Sequence, residues 1–194
     1  ASQGGKMAGS FGDVGCFSFY PAKILGAYGD AGMLTTNNQE IYEWVKGARN
    51  HFKEDSRDWG VNSRCDNVQA TILNVKFKYL SEILKIRQNI AEKYLNAFKG
   101  LEEEGKVKLP ENISGRVWQD FIIQTQEKDE RNKLFDFLKE KGVETIKNNY
   151  PFPVPKMVLA QKYEDSTLRL PCNENLSNEE VEYVIECVKE FYEE

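Results

Sequence analysis

Apolar residues recur along this chain with two different rhythms, and each rhythm predicts a different kind of element. Over residues 14–20 the side chains alternate, with Val14, Cys16, Ser18 and Tyr20 on one face and Phe17 and Phe19 on the other. The run is rich in β-forming residues and apolar on both sides, which predicts a strand in a covered sheet. Pro21 follows at once, and Gly26, Gly29 and Gly32 punctuate the segment KILGAYGDAGM before a second β-type run at residues 33–36. Lys23 is thereby expected on a tight, glycine-bounded loop between two strands.

From Asp66 onward the step becomes three or four residues: Val68, Ile72, Val75, Tyr79, Ile83, Ile86, Ile90, Tyr94, Ala97 and Leu101. This is the period of one long amphipathic helix, or of two joined by a bend. At about 1.5 Å per residue such a helix can link one domain to the next. A break at residues 100–105 opens a second unit. There residues 117–125 (VWQDFIIQT) read as a strand. Residues 129–141 read as a helix with Leu134, Phe137 and Leu138 inward, closed by Gly142. A strand near residues 143–146, a proline-rich loop at residues 150–155 and a short strand at residues 168–170 come next. The last helix opens with a capping box, Ser177 and Glu180, and buries Val181, Val184, Ile185, Val188 and Phe191. The pattern is that of a two-part α/β protein, without internal repeats.

Charge and composition narrow the function classes. With 26 basic against 31 acidic residues the formal charge is −5, and no basic stripe is present, which argues against a nucleic-acid partner. No apolar run approaches the roughly 20 residues of a membrane-spanning helix. Cys16, Cys65, Cys172 and Cys187 show no C-x-x-C spacing, so they are read as reduced thiols of a cytoplasmic protein and not as metal ligands. His51 is the single histidine, which disfavours a histidine-based triad or a multi-histidine metal site. Asp30, in Gly-Asp-Ala-Gly, reads first as a turn residue, and His51 as a helix-end residue. None of this names an activity.

Three ordered segments do. GDVGCFSFYPAKILGAYGDAGMLTTN resembles the lysine segment of the DegT/StrS-type sugar aminotransferases, pyridoxal-phosphate (PLP) enzymes of the aspartate aminotransferase-like fold type I. WGVNSRCDNVQATIL is similar to the family's G-x-N-x-R-x-x-x-x-Q-A run, here Gly60 to Ala70. LRLPCNENLSNEEVEYVIECV is similar to its closing Leu-Pro and Leu-Ser-x-Glu-Glu pattern.

The resemblance implies an α/β fold. Residues 1–64 would be the C-terminal part of the large PLP-binding domain, residues 65–104 a long linking helix, and residues 105–194 a small α/β domain with an antiparallel sheet. It implies that Lys23 is the Schiff-base residue and later the proton carrier. Such a lysine must lose its proton part of the time near neutral pH, which requires a desolvated or cation-rich setting. Outside this motif Lys23 would read as one surface lysine among many.

By the same resemblance Ser18 offers a hydroxyl to the cofactor phosphate, and Asn62 reaches the phosphate of the neighbouring subunit's cofactor, which makes a homodimer with shared active sites. Arg64, Asn149 and Tyr150 face the substrate. The family's small-domain loop usually reads His-Tyr-Pro with another histidine soon after. Here NNYPFPVP puts Asn149 at the first histidine and Pro155 near the second. The implied reaction is amination of a keto-sugar nucleotide with glutamate as donor, in amino-sugar and polysaccharide biosynthesis, with no metal. The acidic partner of the pyridine nitrogen matches a point upstream of Ala1, so the chain is expected to be a C-terminal fragment that is inactive alone. Two other readings are a PLP-dependent sugar dehydratase, which would carry His in place of Lys23, and a non-catalytic regulatory or interaction module.

Overall fold

The computed structural model describes residues 1–54, 59–147 and 157–193. Asn149, Tyr150 and the proline-rich loop therefore lie outside the described residues. The chain divides into two compact units, one of Ala1–Ile83 with Ile113–Arg116 and the other of Leu84–Asn112 with Val117–Glu194.

In the first unit β1 (Ser2–Gln3) and β2 (Lys6–Met7) form a short antiparallel ribbon. Strand β3 (Gly15–Ser18) pairs antiparallel with β4 (Gly32–Thr35), setting Cys16 opposite Leu34 and Ser18 opposite Gly32. The covered sheet expected from the alternation is corrected here. Among the described residues β3 and β4 pair only with each other, and Phe17, Met33 and Leu34 are exposed. Alternation reports two apolar faces, but it cannot report what lies over them. Helix α1 (Gln39–Ala48) starts where the Asn38 side chain accepts the N–H groups of Glu40 and Ile41, two donors the helix itself leaves unpaired.

The long periodic segment is two helices, α2 (Asn67–Phe77) and α3 (Leu80–Glu103). At the junction the N–H groups of Lys78 and Tyr79 donate to carbonyls three residues back, Val75 and Lys76, which tightens the turn and interrupts the α-helical ladder.

The second unit is built on a three-stranded antiparallel sheet in the order β5 (Val107–Lys108), β6 (Phe121–Thr125), β7 (Thr167–Leu170). Phe121, Ile123 and Thr125 are buried in alternation along β6, the signature of one strand face turned to a core. Helix α4 (Lys128–Glu140) is followed by Gly142 at φ +77°, a left-handed conformation that suits glycine and stops the helix. Helix α5 (Val158–Ser166) and helix α6 (Asn178–Glu193) complete the unit. The expected capping box is present: Ser177 N–H donates to Glu180 Oε2 at 2.7 Å, and Glu180 N–H donates to Ser177 Oγ at 3.1 Å. Tyr94 and Phe98 of α3, Trp118, Phe121, Leu134, Leu138, Val181 and Val188 share one core. Within it the Tyr94 and Phe121 rings lie 5.0 Å apart and the Trp118 and Phe121 rings 5.5 Å apart.

Two strand expectations are corrected. The run at residues 117–125 is a strand only from Phe121, because the carbonyls of Trp118 and Gln119 accept from the Arg87 guanidinium at 3.3 and 3.1 Å. The strand expected at residues 143–146 is reduced to one bridge, Ile146 to Arg169.

The core holds ionisable groups in neutral form. Burial pushes the Cys172 thiol up to about 11, against the pull of Arg87, and burial likewise raises the Tyr94 phenol far above its usual range. Both shifts are upward, so the folded state keeps protons that the unfolded chain releases. Stability is therefore full below about pH 9 and falls as pH rises through about 11, by about 3 kcal/mol for the thiol alone. At pH 8 a thiol reagent should label the exposed Cys16 and Cys65 at once, and Cys172 and Cys187 only on unfolding. Prompt labelling of Cys172 would contradict the buried, neutral thiol.

Candidate active site

A cleft of about 1100 Å³ opens within the first unit. Its walls come from strand β4 with Ser18 at the end of β3, from one face of α1 and from the segment before α2. Tyr42, Val45 and Lys46 of α1 and Arg49 at its C-cap are spaced i, i+3, i+4 and i+7, so a single stripe of the helix faces the cleft. Backbone bonds hold the third wall against that helix end: Val61 N–H donates to Ala48 O at 2.8 Å and Ser63 N–H to Arg49 O at 2.9 Å. Between them His51 and Phe52 take left-handed φ values of 61° and 48°, and His51 N–H donates back to Val61 O. The exposed His51 thus belongs to the turn that brings the two segments together.

Of the residues singled out by sequence, Ser18, Asn62 and Arg64 all line this cleft. Ser18 Oγ accepts the N–H of Tyr20 at 3.3 Å, which leaves its own hydrogen to be donated. Arg64 Nε donates to Asn62 Oδ1 at 3.0 Å. That bond occupies the one acceptor of the pair and leaves the Asn62 NH₂ and the remaining Arg64 N–H groups as donors. The lining includes three cations, Lys46, Arg49 and Arg64, and one carboxylate, Asp30, so it is cationic within a chain of net charge −5, with Glu43 4.0 Å from Lys46. Donors and cations together suit an anionic group such as a phosphate.

Lys23 is exposed on the loop between β3 and β4 and is not among the lining residues; the stems of its loop, Tyr20 and Asp30, are. The loop is closed by Phe19 N–H to Ala31 O and Ala27 N–H to Phe19 O, both 2.8 Å, and Lys23 N–H donates to Tyr20 O at 2.9 Å. Gly26 is required there, since a Cβ would lie 2.4 Å from Pro21 O and 2.8 Å from Tyr20 O. Sequence reading missed Tyr42, Lys46 and Arg49. Their helical stripe was the available signal, but it looks like any solvated helix face until residues 61–65 are placed against it. Asp30, read as a turn residue, also lines the cleft. No cluster of His, Cys, Asp and Glu among the described residues could hold a metal ion, and no described helix is long and apolar enough to cross a membrane.

The model of the DegT/DnrJ/EryC1/StrS aminotransferase family matches residues 1–189. Among curated relatives, the chain is 34% identical over 211 residues to the pleiotropic regulatory protein of Geobacillus stearothermophilus, covering 99% of this chain and 55% of that protein. It is 31% identical over 185 residues to the dTDP-3-amino-3,4,6-trideoxy-alpha-D-glucose transaminase of Micromonospora megalomicea subsp. nigra, covering 92% of this chain and 49% of that one. The chain spans about half the length of these curated relatives. Among solved structures, a DegT DnrJ EryC1 StrS aminotransferase from Brucella abortus matches with a TM-score of 0.85 and 29% identity, over 98% of this chain and 54% of that one. NtdA from Bacillus subtilis with bound cofactor PMP matches with a TM-score of 0.88 and 27% identity, over 96% and 47%. These likenesses bear out the α/β aminotransferase fold expected from the sequence. The chain belongs to the DegT/DnrJ/EryC1/StrS aminotransferase family.

Proposed function

We propose that this chain carries the reactive lysine of a PLP-dependent aminotransferase acting on a keto-sugar nucleotide, with glutamate as the amine donor. The observation that carries the reading is Lys23 held on a closed loop whose stems line a cationic cleft shared by Ser18, Asn62 and Arg64. PLP would supply the electron sink that stabilises negative charge at the carbon exchanging its amine. The residues present fit a phosphate: the Ser18 hydroxyl is a donor for the cofactor of its own chain, and the Asn62 amide is a donor for that of a second subunit, as phosphate oxygens need. Lys23 Nζ takes the proton from one carbon and returns it to another. Lys46, Arg49 and Arg64 are the cations for the diphosphate of a sugar nucleotide, and a cleft of about 1100 Å³ has room for a ligand of that size. Asn62 serving the cofactor of a second subunit makes the working unit a homodimer with shared sites. Asn149 and Tyr150 belong to this proposal as substrate-facing residues of the small domain.

Borohydride reduction of the full-length protein in the presence of PLP, followed by peptide mapping, tests the assignment. Covalent label should concentrate on Lys23, the lysine in the Ser-Phe-Tyr-Pro-Ala-Lys context, and vanish in Lys23→Ala. Label on another lysine instead would sink it. The name of the Geobacillus relative favours a second, regulatory reading, which absence of label on any lysine would support.

A further inference from the structure

We propose that α2 is a latch on the lysine loop, and that Gln69 and Lys76 are positioning residues for Lys23; the functional meaning of the latch rests on the role proposed above for that lysine. Gln69 Oε1 accepts the N–H of Tyr28 at 2.9 Å, and Lys76 Nζ donates to the carbonyl of Gly26 at 2.6 Å. The two side chains are seven residues apart, two helical turns, and so share one face of α2. Leu73, the buried residue of α2, lies between them on that face. Ile24 and Ala27 are buried in the loop itself.

The backbone explains why the helix is needed. Lys23 and Ala27 turn their N–H groups inward, onto the carbonyls of Tyr20 and Phe19. The returning limb, from Gly26 to Tyr28, precedes β4, and it places one carbonyl and one N–H on α2 side chains instead of on a ladder. One polar side chain accepts and the other donates, which matches the two orphan groups in kind. Lys76 in the last turn of α2 also sits where a cation is favoured by the helix dipole, so its alkyl stem and charge are held for the loop at little cost. With both bonds made, the loop is fixed at Gly26 and at Tyr28, and the reach of Lys23 toward the cleft is set by α2.

The test uses the full-length protein with PLP and borohydride, reading the share of label on Lys23, together with hydrogen exchange of the Ala27 and Tyr28 amides. Gln69→Leu and Lys76→Met should speed Tyr28 exchange about tenfold and lower the Lys23 share of label by a similar factor. Gln69→Glu and Lys76→Arg keep an acceptor and a donor, and both should retain wild-type behaviour in the two readouts. Lys23 selectivity unchanged in Gln69→Leu and Lys76→Met, despite faster exchange, overturns the positioning role and leaves the bonds merely structural. Unchanged exchange overturns the latch itself. Wild-type full-length protein with no preference for Lys23 overturns the proposed function, and with it the catalytic meaning of the latch.

Discussion

Replacing Arg87 by alanine should destabilise the second unit by about 3–5 kcal/mol, the cost expected when one partner of a buried ionic cluster is removed. Arg87 is 6% exposed. Its Nε and Nη2 both meet Glu174 Oε2, at 2.8 and 2.7 Å, while Nη1 donates to the carbonyls of Trp118, Gln119 and Cys172. Alanine would remove the guanidinium from the carbonyls of Trp118, Gln119 and Cys172 and leave Glu174 short of its cation, and a buried group left unpaired costs about 1–3 kcal/mol. Exposed pairs are a useful contrast. Lys46 and Glu43, both more than half exposed and 4.0 Å apart, should contribute no more than about 0.5 kcal/mol. Lysine at position 87 cannot fork across Glu174 and the carbonyls, so Arg87→Lys should recover only part of the loss. Urea unfolding followed by near-ultraviolet circular dichroism of the aromatic core reads the effect. A loss below about 1 kcal/mol would mean that water replaces the guanidinium and that the cluster is not a keystone.

Arg87 also shows where sequence patterning stops. The three- and four-residue period from Val68 to Leu101 located the helices, and Ile90 and Tyr94 of its stripe are buried in α3, whereas in α2 Val68 and Val75 are exposed and Leu73, outside the stripe, is the buried residue. The same period sets Arg87 between Ile83 and Ile90 and Arg131 before Leu134 and Leu138, on the buried faces, but residue type argues for solvent and the spacing does not name the groups that pair with them. The junction at Lys78 and Tyr79 carries neither Gly nor Pro, so its place was not legible. Helix α5 escaped for a related reason: its apolar residues Val158, Leu159 and Tyr163 are exposed while Ser166 is buried, which inverts the usual pattern. The lysine loop was legible through its motif and its glycines. The cleft was legible in part, since Ser18, Asn62 and Arg64 lie in recognisable segments. Tyr42, Lys46 and Arg49 become site residues only through the turn at His51 and Phe52, whose left-handed backbone no residue type there predicts.

The second large effect is expected from a single methyl group at position 26. Gly26→Ala would place a Cβ 2.4 Å from Pro21 O and 2.8 Å from Tyr20 O, and both obstacles are backbone atoms that cannot swing aside as a side chain tip could. The loop must open by roughly 1 Å, the scale on which a displaced reactive group loses about 10²-fold in rate. The same movement pulls the Gly26 carbonyl away from Lys76 Nζ and strains the Ala27 bond to Phe19 O. Labelling of Lys23 by PLP and borohydride should therefore fall by about two orders of magnitude, with fast exchange at the Ala27 amide. Gly100→Ala is the control. It sits inside α3 with nothing within 4 Å of the added atom, so it should raise helix stability by up to about 1 kcal/mol and leave Lys23 untouched. Because Gly26 belongs to the first unit, urea unfolding of the Tyr94–Phe121 core should not change in Gly26→Ala. If Lys23 labels normally in Gly26→Ala, the loop tolerates the shift and the close approach at Gly26 does not set the position of the lysine.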